Sequence, residues 1–546
     1  MKPKLIGMLK RGEITKESAS KDIIAGVIVA IIALPLSVAL AISSGVSPEK
    51  GLITAIIAGC IISLLGGSRV QIGGPTGAFV VIVYGIVQTY GLNGLIIATI
   101  MAGIIMILLG LLKFGSVIKY VPYPITVGFT AGIAITLLST QIKDFFGLNI
   151  QSVPSEFIPK WIVYFENLDS INYMALLIGV CSLIIMILWP KINKTIPGSL
   201  IALVVTTVIV KIFNLPVATI GSSFESISAT IPMPILPSFD LEQIKVLIGP
   251  AVTIAILASI ESLLSAVVAD GMIGGKHDSN MELVAQGIAN IFSGLFGGIP
   301  ATGAIARTAA NIKNGGRSPI SGIVHAIVLL LIMLIFMPLA KLIPMTTLAA
   351  ILMIVSYNMG EWRTCISLLK APKSDMVVLL ITFFLTVIFD LVIAIEIGMV
   401  LAAFLFMRRI ADTTKIKCVK KDILYQGERA DNLRKEEDLS NGRVLVYEIN
   451  GPFFFGIAQK FLEVMKDISY DYDVLILDMI NTNAMDSTAI DAVERVYETC
   501  RKKGVKLQLI NVQRQPRNVL RKMGFMQLAG EESVIYYKER NVKKHF

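Results

Sequence analysis

The sequence of 546 residues predicts an all-α polytopic membrane domain followed by a small cytoplasmic α/β domain. The membrane part is expected as fourteen segments in two inverted seven-segment repeats, with broken helices 3 and 10. Three observations predict this. Apolar blocks of about 20 residues, the length a helix needs to cross hydrocarbon, recur from Ile23 to Met407. Two glycine-rich segments of similar wording open the third segment of each half. Beyond Ile410 the apolar character falls, and strand-like and helix-like runs alternate.

Composition narrows the class. Hydrophobic residues make up 54% and charged residues 16%, against about 25% charge in ordinary soluble domains. With a mean hydropathy of +0.74, a large soluble core is excluded. The short basic start, Lys2 to Lys21, lacks the order of a signal peptide, so the first span is expected to stay. The net charge of +10 sits beside spans on one side, as topology requires, and does not indicate a nucleic-acid partner. Cys60, Cys181, Cys365, Cys418 and Cys500 lack metal-ligand spacing. They are read as small core residues, with no disulfide, metal or cofactor implied.

In chain order the expected domains are a cytoplasmic N-terminal segment (1–21), the transport domain (22–410), a linker (411–440) and the α/β domain (441–546). Spans are expected at 22–43, 50–66, 75–89, 92–112, 120–140, 171–189, 196–212, 243–268, 281–295, 302–312, 319–338, 343–357, 373–389 and 391–409. A cytoplasmic N-terminus places Arg69, Lys113, Lys119, Lys191, Lys194, Lys276, Lys313, Arg317, Arg363, Lys370, Lys373, Arg408 and Arg409 inside. The connection from Phe213 to Glu242, free of Lys and Arg, then lies outside. An even number of spans returns the chain to the cytoplasm. Lys143, Lys160 and Lys341 dissent.

Gly73-Gly74-Pro75-Thr76-Gly77-Ala78-Phe79 opens span 3, and Gly298-Ile299-Pro300-Ala301-Thr302-Gly303-Ala304-Ile305 opens span 10. A helix start presents N–H groups without helical partners, and its dipole adds positive potential. Two such starts meeting near mid-membrane make an anion site, with glycines allowing close backbone approach. The plain alternative is tight packing of small residues. The candidate substrate-binding residues are Pro75, Thr76, Gly77, Ala78, Phe79, Thr302, Gly303, Ala304, Ile305 and Arg307.

Glu261 interrupts the apolar run of span 8, with Ser265 four residues later on the same face. A carboxylate there needs a cavity, a partner or a proton. Glu261 and Ser265 are therefore candidate ion-coupling residues, and a permanent hydrogen-bonded brace is the alternative for Glu261. Arg307, two turns into the expected tenth helix, carries a fork suited to carboxylate or sulfate oxygens. Three roles stay open for it: binding substrate, pairing with Glu261, or alternating between the two. Snorkelling towards the cytoplasm is the alternative. Pro35 is expected to kink span 1 and place Ser37 at the site. Glu396 is read as a scaffold residue. Tyr84 and Phe79 are either aromatic walls or packing, while Asp144, Asp270, Asp390 and His325 need no functional role.

In the tail, strands are expected at 443–449, 474–477, 506–510 and near Val534, with helices at 457–468, 488–503 and 516–523. It has no phosphate loop and no nucleophile with a base at useful spacing, so an enzyme is not expected. Asp486, Ser487 or Thr488 caps the second helix. Ser487 is a candidate phosphorylation site, because added charge at a helix start alters a docking surface.

These motifs together resemble the sulfate permease family, the group that also contains animal anion exchangers and prestin. The resemblance covers residues 15 to 540. It rests on Ala25-Gly26-Val27 with Ala33-Leu34-Pro35-Leu36-Ser37, on Gly66-Gly67-Ser68-Arg69 with the span-3 segment, and on Gly128-Phe129-Thr130-Ala131-Gly132. Ser259-Ile260-Glu261-Ser262, and Phe296-Gly297-Gly298 through Ala306-Arg307-Thr308, complete it. In the tail, Asn483-Ala484-Met485-Asp486-Ser487-Thr488 resembles the signature turn of the sulfate transporter and anti-sigma factor antagonist (STAS) domain.

The resemblance implies fourteen segments in two inverted repeats, with the anion between the starts of spans 3 and 10. Glu261 and Ser265 stand where sodium-coupled bicarbonate carriers have aspartate and threonine, a departure that favours protons. The expectation is an elevator-like, proton-coupled symporter of a C4-dicarboxylate or sulfate, in which spans 1–4 and 8–11 move past a gate of spans 5–7 and 12–14. The alternatives are a sodium-coupled bicarbonate transporter, or an anion exchanger or channel with a regulatory tail. The expected setting is the bacterial inner membrane, with lipid around it and both termini cytoplasmic. A homodimer is expected, and a cytoplasmic regulatory protein is a candidate partner for the tail.

Overall fold

The computed structural model describes residues 2–116, 121–193, 196–224, 230, 232–234, 237, 241–389, 391–419, 444–466 and 472–536. The chain divides into two compact units, Met1–Met399 and Val400–Phe546.

Span 1 is Lys16–Ser43, started by a capping box in which Thr15 and Ser18 exchange hydrogen bonds. Span 2 is Pro48–Leu65, with proline in its first turn, where a missing N–H costs nothing. The helix Val80–Leu111 follows a single 3₁₀ turn, Gly77–Phe79, and breaks at Gly91 (φ 69°, ψ −174°) into spans 3 and 4. Next come span 5 (Tyr123–Thr140), the short helices Ile142–Phe146 and Phe157–Glu166, span 6 (Tyr173–Ile192) and span 7 (Gly198–Ile212). The second half holds span 8 (Leu241–Ile273), span 9 (Ser279–Leu295), span 10 (Ile305–Lys313) and span 11 (Ile320–Ala340). Span 12 (Met345–Met359), span 13 (Lys373–Ile388) and span 14 (Leu391–Thr413) follow.

Every expected segment is thus a helix, and spans 1, 8 and 14 run one to two turns beyond their expected ends. By length and composition, seven helical segments among the described residues suffice to cross a membrane; spans 3 and 4 count there as one, and span 5 includes the turn to Phe146. Spans 7, 9, 10, 12 and 13 are shorter because loops, ribbons or prolines bound them. Spans 1–4 pack mainly with spans 8–11 and spans 5, 6 and 7 mainly with spans 12 and 13, while span 1 also touches spans 7 and 12. Spans 4 and 9 cross where a Cβ on either Gly103 or Gly287 would lie 2.5 Å from the other's carbonyl oxygen, so their backbones are in direct contact.

The second unit is an α/β domain with a five-stranded sheet whose strands lie side by side in chain order. Its strands are β3 (Lys415–Val419), β4 (Val444–Asn450), β5 (Val474–Asp478), β6 (Lys506–Val512) and β7 (Val534–Tyr536). Only β3 is antiparallel to its neighbour; the others pair in parallel. The helices Phe455–Lys466, Ser487–Lys502, Arg514–Lys522 and Phe525–Ala529 complete the domain, whose core includes Ile449, Phe461, Leu477, Val493 and Leu509.

Two readings are corrected here. No strand was expected between Ile410 and Arg443, yet β3 pairs along its length with β4; its charged lettering reflects a solvent-facing edge. Cys418, on that edge, is exposed and not a core residue, whereas Cys500 is buried.

Candidate functional site

The two glycine-rich segments meet. Gly73–Gly74 (β1) and Thr302–Gly303 (β2) form a two-stranded antiparallel ribbon, with Gly73 opposite Gly303 and Gly74 opposite Thr302. Gly74 has φ +148°, and a Cβ there would lie 2.5 Å from Arg307 Nη1. Only glycine meets both demands. Each strand feeds a helix start, and neither start has a side-chain cap. Apart from Phe79 N, which donates to the Thr76 carbonyl, their first-turn N–H groups are therefore available to another acceptor.

Two ionisable side chains converge on the same loop. Thr76 Oγ1 donates to Glu261 Oε2 at 2.8 Å. Arg307, 4% exposed, donates from Nη2 to the Pro75 carbonyl, while its Nη1 is buried without a hydrogen-bond partner. Glu261 and Arg307 thus bind adjacent residues, Pro75 and Thr76, and not each other. Arg307 lies in the first turn of Ile305–Lys313, because β2 takes up Thr302 and Gly303 and delays the helix. The guanidinium points back at the first helix start and does not snorkel.

The remaining candidates divide. Thr302 Oγ1 donates to the Ala258 carbonyl at 3.0 Å, tying β2 to span 8. Ser265 Oγ donates to Thr308 Oγ1 at 3.3 Å, and that oxygen also accepts from Ile72 N at 3.0 Å. Ser265 therefore braces the ribbon one turn from Glu261. Gly77, Ala78 and Ala304 are buried around the two starts, and Ile305 is 39% exposed. Phe79 is 1% exposed and packs in an apolar cluster with Val83 and Ile260, so it serves as packing. Span 1 continues as helix through Pro35, and Ser37 is fully buried with its hydroxyl unpartnered. The Glu396 side chain lies outside the described residues. In the second unit, Asp486 caps the helix through Ala489 N (2.9 Å) and also accepts from Phe455 N (2.9 Å). Ser487, its first residue, is exposed.

Sequence reasoning missed the groups that hold the ribbon. Asn290 of span 9 donates to the Ala301 carbonyl and accepts from Ala301 N, both at 2.9 Å. Thr54 Oγ1 accepts from Ile299 N at 2.7 Å, and Gln71 Nε2 donates to the Ser262 carbonyl at 2.9 Å. Glu282, fully buried, accepts from Gly67 N (2.8 Å), Ser68 N (3.0 Å) and Gln286 Nε2 (2.9 Å). Asp22 does the same in the other half, accepting from Arg317 N (2.7 Å), Ser318 N (3.0 Å) and Ser318 Oγ (2.5 Å). A signal was present: Glu282, Gln286 and Asn290 recur every four residues, a polar stripe that an apolar helix needs only where it meets buried backbone.

Comparison with known proteins agrees with this architecture. The model of the sulfate permease family matches residues 20–382, and that of the STAS domain matches residues 437–537. The chain belongs to the sulfate permease family, as a membrane transporter with a C-terminal STAS domain. It is 43% identical over 514 residues to the putative sulfate transporter YvdB of Bacillus subtilis, covering 94% of this chain and 95% of that protein. It is 31% identical over 548 residues to the bicarbonate transporter BicA of Picosynechococcus sp., covering 96% and 94%. Among solved structures, the transmembrane domain of a cyanobacterial BicA superposes with a TM-score of 0.63 at 31% identity, over 71% of this chain and 98% of that one. The SLC26A9 structure gives a TM-score of 0.83 at 21% identity, over 98% and 91%, a likeness of fold.

Proposed function

We propose that the chain is a secondary transporter of a small anion of the sulfate or bicarbonate type, bound between the two helix starts and Arg307. The observation that carries this reading is the buried Arg307 Nη1, a charged donor without a partner beside two uncapped starts. A fixed cation in a poorly solvated site favours an anion, and the guanidinium fork matches oxyanion geometry. The names of the similar proteins, sulfate and bicarbonate transporters, support the sulfate half of the expected C4-dicarboxylate-or-sulfate pair, and the bicarbonate alternative, over the dicarboxylate.

The movement is read as elevator-like, with spans 1–4 and 8–11 carrying the anion past spans 5–7 and 12–14. Glu261, held by Thr76, is the group to exchange a proton as anion binds. A sodium ion is the competing coupling ion, and exchange without coupling is the competing cycle. The setting is a bacterial cytoplasmic membrane with both termini inside. The STAS domain supports a dimer or receives a regulatory partner, with Ser487 as its candidate phosphorylation site.

The test is flux into proteoliposomes of radiolabelled sulfate and bicarbonate, with succinate and fumarate as competitors, at two pH values and with or without sodium. Saturable uptake of sulfate or bicarbonate, resistant to the dicarboxylates, is expected. Glu261→Gln should abolish the pH dependence. Normal uptake with unchanged pH dependence in that variant would remove Glu261 from coupling.

A further inference from the structure

Two of the three lysines that dissent from the charge rule lie between spans 5 and 6, on the face where span 1 ends. Lys160 and Tyr164 occupy one face of the helix Phe157–Glu166, one turn apart. Both are almost fully buried, 3% and 2% exposed. Tyr164 Oη has no hydrogen-bond partner. No carboxylate among the described residues forms an ion pair with Lys160. The helix itself is held firmly: Trp161 Nε1 donates to Ser139 Oγ at 3.2 Å, and its ring meets Tyr164 edge-on at 6.0 Å. Burial without a partner is costly for the Tyr164 hydroxyl, and the Lys160 ammonium has no counter-ion; a ligand that accepts from both offsets this.

Both side chains line a cavity of about 450 Å³, together with Lys143, Asp144, Tyr84 and Thr346. Lys160 also lines a second cavity of about 970 Å³, which runs along span 3 down to Ala78 beside the first helix start. Lys160 therefore lines both a vestibule and a passage that reaches Ala78 of the first helix start. The two lysines outnumber the one aspartate of the vestibule, so its field is positive.

We propose that Lys160, Tyr164 and Lys143 form a capture site for a small oxyanion, occupied before the anion reaches the helix starts. The ammonium groups and the phenol donate to separate oxygens of one ligand, and Lys160 hands it to the passage. The inference rests on the transport reading above and adds a second, one-sided site to it. Its signature is asymmetry: only transport starting from this face depends on it.

The experiment measures KM for radiolabelled bicarbonate and sulfate from each face, using cells that express the full chain and inside-out membrane vesicles from the same cells. Lys160→Met and Tyr164→Phe should each raise KM at the vestibule face, Lys160→Met by about tenfold or more, the range for hydrogen bonds to charged groups. KM at the opposite face should not follow. Lys160→Arg should recover most of the loss, and Lys341→Met, which removes a lysine from neither cavity, should shift nothing. An unchanged KM at the vestibule face, or an equal rise from both faces, overturns the capture site. If the unaltered chain moves neither anion, the transport reading fails and takes this inference with it; normal transport with Lys160→Met indifferent overturns this inference alone.

Discussion

Replacing Asn290 with leucine tests whether the broken tenth span is held by span 9. Leucine keeps the volume and removes the amide, which grips Ala301 one residue before β2. Two backbone groups of a fully buried residue, Ala301 N and O, lose their partners together. Each unsatisfied buried group costs about 1–3 kcal/mol, so the loss is about 2–6 kcal/mol. The amide's third bond, to the Gln286 carbonyl at 2.8 Å, adds little, because that carbonyl keeps its helical donor. The control is Asn314→Leu: that amide reaches only the Ala310 carbonyl of its own helix, from a half-buried position, and its loss should cost about 1 kcal/mol or less. Thermal unfolding of detergent-solubilised protein gives the comparison, and flux at a permissive temperature gives the functional readout. Asn290→Leu should melt well below the control and transport slowly even while folded, because Arg307 is positioned through the same ribbon. Equal melting of the two variants would refute the reasoning, and so would full transport in a destabilised Asn290→Leu protein.

Other outcomes follow from the same geometry. Gly74→Ala should fold poorly or lose transport, since a Cβ meets both a positive φ and Arg307 Nη1; wild-type flux in that variant would show that the ribbon yields. Glu282→Ala leaves the buried N–H groups of Gly67 and Ser68 unpaired, and Asp22→Ala the buried N–H and hydroxyl of Ser318; each should lower thermal stability by about 2–5 kcal/mol, seen in the same melts. Burial pushes the Lys160 ammonium down from 10.5 to about 8. The group facing the vestibule, with Lys143, Asp144, Tyr84 and Tyr164 around it and Glu156 on the passage side, is then charged below that pH and neutral above it. KM at the vestibule face should accordingly rise between pH 7 and pH 9, and fold stability should increase as pH rises from about 8 to about 10.5, because over that range the unfolded chain still holds the proton that the folded one has lost. In the STAS domain, burial pushes the Cys500 thiol up to about 11, while Cys418 is exposed. An impermeant maleimide should label Cys418 from the cytoplasmic side quickly and Cys500 only after unfolding; labelling of Cys418 from outside would invert the proposed topology.

How much was legible follows the range of each interaction. The fourteen segments were, because a backbone in hydrocarbon must satisfy itself within about 20 residues and writes that need as local apolar runs. The twinned motifs were legible for the same reason: a broken helix needs glycine and proline where it breaks. Glu261 and Arg307 stood out as charges in apolar text. The strand Lys415–Val419 did not, because its identity comes from pairing with Val444–Asn450 across a long interval.

Sequence alone thus determined the class of fold, the two repeats and the identity of the ionisable residues, all expressed in local patterns. Tertiary structure decided the rest. It placed Glu261 and Arg307 on neighbouring residues of one loop without pairing them. It turned Thr302 and Gly303 from an expected helix start into a strand, and it assigned Ser265 to the ribbon rather than to Glu261. It also gave Lys160, a mere exception to a charge rule in the sequence, a place between two cavities. Each of these depends on contacts between residues far apart in the chain, and no local pattern records which distant backbone group a buried side chain will meet.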